Sequence, residues 1–242
     1  VKDGLIWLFK HDERGYAFRE KYYETLNRLY VENFYKKIYD WCGAHGCKLT
    51  GHSIEESALF AQMWGGAAVM PSYEFEDIPA IDWLGRFCGE GLAIKQVASV
   101  AAQLGKKRIL TESFGCSGYD VTPKELKSIL EFQYFGGVNV TCQHLYPYSV
   151  AGRGKIDHPP VFGPHGNWNE GFKAFNDYFA KLSYIITDTK ENATIGVIHP
   201  MRDVWLDYVR DEDYESVKQT EKEFNGFLTI LRKNGIQYQF ID

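Results

Sequence analysis

The run Arg108-Ile109-Leu110-Thr111-Glu112-Ser113-Phe114-Gly115 reads as a short buried strand that carries one carboxylate, Glu112, to its C-terminal tip. There the backbone breaks into a glycine-containing loop. In a parallel α/β sheet, and above all in a (β/α)8 barrel, strand C-termini are where chemistry sits. Glu112 is therefore a candidate catalytic carboxylate. The alternative is a structural glutamate paired with a Lys or Arg of a neighbouring strand.

The surroundings of this strand repeat one rhythm. Before it, residues 91–105, rich in Ala, Val and Leu, predict a helix. After it, Thr122-Pro123-Lys124-Glu125 has the form of a capping box with Pro at the first helical position, opening a helix that Gly136-Gly137 ends. The next strand is predicted over 138–144. Upstream, Tyr23, Leu26, Tyr30, Phe34, Ile38 and Trp41 recur at spacings of three and four, predicting a long amphipathic helix over about 16–45. A short strand is read over 47–52, and Ser53-Ile54-Glu55-Glu56 reads as a second capping box, for a helix running toward Trp64. Residues 67–70 look strand-like, 72–77 form an acidic aromatic loop, and Ile81-Asp82-Trp83-Leu84 is strand or loop.

Strand then helix with short connections means βαβ units and a parallel sheet. The stretch from Pro147 to Asn169 breaks the rhythm without any period, as functional loops leaving strand C-termini do. A helix over about 170–187, a strand over 193–199, a helix over about 214–234 and a strand over 236–241 complete the chain. The expected division is 1–187 and 188–242, at the polar cluster around 187–192, with the last piece too small to fold alone.

With 27 basic and 32 acidic residues, net −5, and its basic residues scattered, the chain lacks the footprint of a nucleic-acid surface. No apolar stretch of membrane-spanning length is present, so no membrane span is expected. Five cysteines, Cys42, Cys47, Cys88, Cys116 and Cys142, form no metal-spaced pair and fit free buried thiols in a reducing compartment, the cytoplasm. Aromatic residues make up 16% of the chain, and flat rings suit the C–H faces of sugars. The start Val1-Lys2-Asp3-Gly4 has neither an initiator Met nor a signal-peptide pattern, which leads us to expect an internal piece of a longer protein.

Right-handed βαβ winding places successive strand C-termini on one side, so His52 with Glu55 and Glu56, then Glu112, then Gln143 with His144 and Tyr146 can converge. Glycoside hydrolysis takes two carboxyl groups. Glu112 is the first choice and Glu56 the candidate partner, although a capping box gives Glu56 a structural role and the helix dipole gives Glu55 one. His52, Glu55 and His144 are candidate ligands of sugar hydroxyls, and Tyr73, Trp83 and Tyr146 candidate stacking platforms; each has core packing or a satisfied loop position as its alternative. Asp157, His158 and His165 match no zinc spacing, so no metal site is assigned. There is no nucleophile elbow and no phosphate-binding glycine loop, which disfavours acyl transfer, phosphoryl transfer and a flavodoxin-like nucleotide module.

Taken in order, Glu32-Asn33-Phe34-Tyr35, Trp41-Cys42-Gly43-Ala44-His45-Gly46, Leu49-Thr50-Gly51-His52, Leu110-Thr111-Glu112-Ser113-Phe114-Gly115 and Gly137-Val138-Asn139 resemble large bacterial glycoside hydrolases of the family 106 α-L-rhamnosidase type, over most of residues 20–200. The resemblance implies the second half of a (β/α)8 TIM-type barrel, followed by the start of a flavodoxin- or amidotransferase-like α/β unit over 195–242. It also implies cleavage of terminal α-linked rhamnose with inversion, helped by calcium, with Glu112 in the motif of the catalytic base. The general acid of such enzymes lies upstream of the barrel region seen here, and neither it nor the calcium ligands map onto this chain. The expectation is a glycoside hydrolase fragment lacking the N-terminal half of its barrel and of little or no activity alone; the competing expectation is a non-catalytic carbohydrate-binding or scaffold domain.

Overall fold

The computed structural model describes residues 2–89, 91–166, 168–210 and 214–242. Two residues named above, Val1 and position 167 of the long loop, lie outside them. In chain order the regular elements are α1 (Tyr16–Tyr30), a π-helical stretch (Val31–Tyr35), α2 (Lys36–Ala44), β1 (Thr50–Gly51), α3 (Leu59–Gly65), α4 (Met70–Tyr73), β2 (Ile78–Trp83) and α5 (Leu92–Gln103). They continue with β3 (Leu110–Ser113), α6 (Pro123–Phe135), β4 (Val140–Gln143), α7 (Asn169–Thr187), β5 (Ile195–Ile198), α8 (Met201–Asp207), α9 (Glu215–Lys233) and β6 (Tyr238–Ile241). The protein is α/β with parallel sheets, one of four strands in the order β1-β2-β3-β4 and one of two, β5-β6. Among the described residues no helix is long and apolar enough to cross a membrane.

The chain forms two compact units, one of residues 1–49, 53–77 and 191–242 and the other of 50–52 and 78–190. It passes between them four times, so residues 191–242 share a unit with α1 to α4, whereas the sequence led us to expect a single cut at 187/188.

The unit that holds the four-stranded sheet follows from alternation and caps. Ile81, Trp83, Thr111 and Ser113 are buried on one face of the sheet, where Gln133 of α6 accepts from the Thr111 hydroxyl at 2.5 Å and donates to that of Ser113 at 3.0 Å. Strand side chains alternate between faces, so Ala80, Asp82, Leu110, Glu112, Val140 and Cys142 belong to the opposite face. Helix α6 starts where its sequence says: the Thr122 hydroxyl accepts from the Glu125 N–H at 3.3 Å, and the Glu125 carboxylate accepts from the Thr122 N–H at 2.7 Å. It ends at Gly136 and Gly137, the latter at φ +113°, where a Cβ would meet Ala98 at 3.3 Å. Helix α5 is buried nearly throughout, as its apolar composition demands. The long loop after β4 is pinned by stacked rings, Phe162 on Phe172 and Phe172 on Phe175 of α7.

In the other unit the buried row of the first helix is Arg19, Tyr23, Asn27, Val31 and Tyr35, each four residues apart. Four residues overshoot a full turn of a 3.6-residue helix by about 40°, so such a row stays aligned only where the helix widens, as it does at the π-helical stretch. That shift overturns the apolar stripe expected from sequence: Phe34, Ile38 and Trp41 are exposed. Two polar members of the row, Arg19 and Asn27, are satisfied by backbone. Arg19 donates to the carbonyls of Trp7, Lys10, Asp12 and Leu206, and Asn27 donates to those of Gly66 at 2.7 Å and Ala68 at 2.9 Å. Residues 67–70 are not a strand; Ala67 sits at φ +69°, and its carbonyl accepts from the Trp205 indole at 2.7 Å. Nor does Ser53-Ile54-Glu55-Glu56 open a helix. Glu55 has φ +59°, outside the helical region, and α3 begins only at Leu59.

The five cysteines are free thiols, but only Cys42 is buried. The other four are exposed, which corrects the expectation of buried thiols throughout.

Candidate functional site

Glu112 stands on β3 with Asp82 of β2 and Cys142 of β4 as its register partners on either side. Parallel neighbours lie about 4.8 Å apart, so the three side chains leave the same face of the sheet as one row. Two imidazoles complete the setting. His52 follows β1 directly and puts Nε2 at 3.3 Å from Glu112 Oε2, and His144 follows β4 directly and puts Nε2 at 3.8 Å from Oε1. The turn after β3 makes room for the second ring: a Cβ on Gly115 would lie 2.9 Å from Leu84 and 3.5 Å from His144 Cγ. His144 is further fixed by its N–H, which donates to the Ser113 carbonyl at 2.9 Å, and by the His158 ring, whose centroid lies 5.5 Å away.

The electrostatics differ along the row. Burial raises the Asp82 carboxyl above the ordinary aspartate value, the Glu112 charge adds to the rise, and His52, His144 and His158 pull against it. The Cys142 thiol is also raised, by burial first and by Glu112 second. Among the described residues the buried Nδ1 of His144 has no hydrogen-bond partner. Two carboxyl groups with imidazoles against one of them can hold and pass protons at a face free of the α6 packing, which is what acid–base chemistry requires.

His52, Glu112 and His144 are thus brought together as the sequence suggests. Tyr146 is 65% exposed, in the same unit, with its ring laid over Gly163, a residue at φ +78° where a Cβ would meet that ring at 2.0 Å. Trp83 is placed otherwise. It is 2% exposed on the face turned to α6, stacked on Phe87 and tilted against Phe132, with its indole N–H donating to the Phe87 carbonyl at 3.2 Å. It is a packing residue and presents no platform to a sugar.

Glu56 and Tyr73 belong to the other unit and are 3% and 0% exposed. Glu56 Oε1 accepts from the Ser53 N–H at 2.8 Å and from the Tyr73 hydroxyl at 3.0 Å. Burial, followed by the charges of Glu56 and Glu76, pushes the Tyr73 phenol well above its usual value. A carboxylate held this way is a structural acceptor, which corrects its candidacy as the partner of Glu112, and Tyr73 has no face to offer a ligand. Glu55 is exposed in the turn before α3.

Sequence reasoning missed Asp82 and His158. Asp82 was visible in Ile81-Asp82-Trp83-Leu84 as an acid in an apolar run, but its role depends on register with β3. Among the described residues no group of three or more His, Cys, Asp or Glu side chains is arranged to hold a metal ion. Calcium in particular takes about six to eight oxygen ligands, and a face offering the carboxyls of Asp82 and Glu112 among imidazoles does not fit it. Compared with models of known protein families the chain matches none, and compared with curated protein sequences it matches none.

Proposed function

We propose that this chain carries catalytic apparatus of a glycoside hydrolase, with Glu112 as its base or nucleophile. One observation carries the reading: an acid on a central parallel strand, on the face opposite the one packed on α6, with an imidazole nitrogen set against each of its carboxylate oxygens. The four parallel strands in sequential order are read as consecutive strands of a (β/α)8 barrel, whose strand ends support chemistry of this kind. The parallel pair β5 and β6 is read as the start of a flavodoxin- or amidotransferase-like unit. The substrate class is carbohydrate, with terminal α-L-rhamnosides the first to try on the strength of the resemblance to family 106 enzymes. The free thiols support a reducing, cytoplasmic setting.

The test is Glu112→Gln in the full-length protein, assayed on a panel of nitrophenyl glycosides that includes the α-L-rhamnoside. Losing a positioned acid–base group lowers turnover by about 10²–10⁴-fold, and the variant is expected to keep its thermal midpoint and its sugar affinity. Turnover near that of the unsubstituted protein would overturn the assignment. Sugar binding without hydrolysis by the unsubstituted protein would favour a carbohydrate-binding domain instead.

A further inference from the structure

We propose that Asp157 and His158, in the long loop after β4, form a hydroxyl-binding clamp at this site, with His158 Nε2 taking one ring hydroxyl of the sugar on which Glu112 acts. The proposal rests on the glycoside hydrolase reading and adds to it a substrate-binding residue, the residue that orients it and a source of selectivity.

The loop is built in place. The Pro159 carbonyl accepts from the Gly118 N–H at 2.9 Å, the Lys155 carbonyl accepts from the Tyr119 hydroxyl, and the Phe162 N–H donates to the Leu145 carbonyl at 2.9 Å. The first two bonds tie the loop to the connection between β3 and α6, and the third ties it to the chain that leaves β4. Val161 and Phe162 are buried, with the Phe162 ring 5.7 Å from that of Phe114 just beyond β3. Between these anchors His158 has φ +48°, a left-handed conformation that residues other than glycine seldom take. Backbone held in such a region by its surroundings is a pointer to function.

This brings His158 to the row of ionisable groups. Its ring centroid lies 5.5 Å from that of His144, whose Nε2 is 3.8 Å from Glu112 Oε1, and it is one of the groups acting on the Asp82 carboxyl. The three imidazoles at this face have different commitments. His52 and His144 each turn Nε2 to a Glu112 oxygen. His158, with a half-exposed side chain, turns Nδ1 to Asp157 Oδ1 at 3.1 Å. Among the described residues its Nε2 has no hydrogen-bond partner.

A ring held at one nitrogen presents the other in a set direction. A hydroxyl both donates and accepts, so it pairs with that nitrogen in either tautomer of the ring. Sugars are hydroxyl-dense ligands, and a partner fixed to one hydroxyl position distinguishes glycones that differ there.

The test is calorimetric titration of the full-length protein with methyl α-L-rhamnopyranoside and its three derivatives that each lack one ring hydroxyl. A single hydrogen bond contributes about two- to tenfold in affinity. His158→Ala is therefore expected to weaken the parent glycoside by that factor, yet to bind one of the derivatives as tightly as the unsubstituted protein does. Asp157→Ala, which leaves the imidazole unoriented, should show a smaller loss with the same derivative indifferent. A residue that only holds the loop would weaken all four glycosides alike, and that result overturns the proposal. Unchanged affinity in His158→Ala overturns it too, as does a failure of the unsubstituted protein to bind any of the four. Should His158→Ala melt early, the pattern in Asp157→Ala decides the question. Selective binding without hydrolysis of any nitrophenyl glycoside defeats the hydrolase reading and leaves the clamp standing; hydrolysis with uniform loss of affinity does the reverse.

Discussion

The two faces of the four-stranded sheet use the same strands for opposite ends. On the face turned to α6, Ile81, Trp83, Thr111 and Ser113 are buried, and their polar atoms close on partners within the fold. One residue along each strand, Asp82, Glu112 and Cys142 stand half-buried or exposed, with ionisable groups beside one another that a purely structural face would not gather. Alternation along a strand therefore separates stability from chemistry within a single residue step. Trp83 and Asp82 are neighbours in sequence with unrelated work.

That contrast can be broken from either side. The largest effect on stability is expected from Trp83→Ala, which empties a packed site between β2 and α6. Losses for such truncations run at about 3–5 kcal/mol, read as a shift of the denaturant midpoint, and a loss below about 1 kcal/mol would mean that the indole is not core. Gln133→Leu should cost less, about 1–3 kcal/mol, because it leaves the buried Thr111 and Ser113 hydroxyls without their amide partner. If it proves neutral, the packed face is held by apolar contact alone.

Substitutions on the opposite face should reverse the pattern. Asp82 is raised in the fold, so between the ordinary aspartate value and its folded value the native state binds the extra proton. The native fold then loses stability as pH rises through that window. Asp82→Asn should flatten this slope and leave the neutral-pH fold at least as stable, as paired thermal melts across pH would read. A variant that keeps the slope would place the titration elsewhere. Tyr146→Ala, at an exposed ring, is expected within about 0.5 kcal/mol of the unsubstituted protein while weakening sugar affinity; unchanged affinity would remove Tyr146 from the site.

Much of this architecture is legible in the sequence because it is locally written. The capping box at Thr122, the glycine pair at 136–137 and the apolar run of α5 each determine an element within a few residues, and so the succession of strands and helices that presents Glu112 could be read directly. What escaped reading depended on partners distant in the chain. Asp82 and Trp83 are indistinguishable as functional candidates until β2 is paired with β3, since a shift of one residue exchanges the two faces.

Glu56 carried the same motif letters as a capping residue and the same charge as Glu112. Only its enclosure with Tyr73 and the Ser53 N–H shows it to be a structural acceptor. The buried row of α1 was misread for a third reason: a π-helical stretch changes the period in mid-helix, and a fixed spacing of three and four cannot follow it.

The central claim, that chemistry occurs on the Asp82–Glu112 row, is tested most directly by a crystal structure of the full-length protein with an iminosugar of the hydrolysed glycone's configuration. The account predicts the atom standing for the anomeric carbon about 3–3.5 Å from a Glu112 carboxylate oxygen. A sugar ring seated without contact to Glu112 would contradict it.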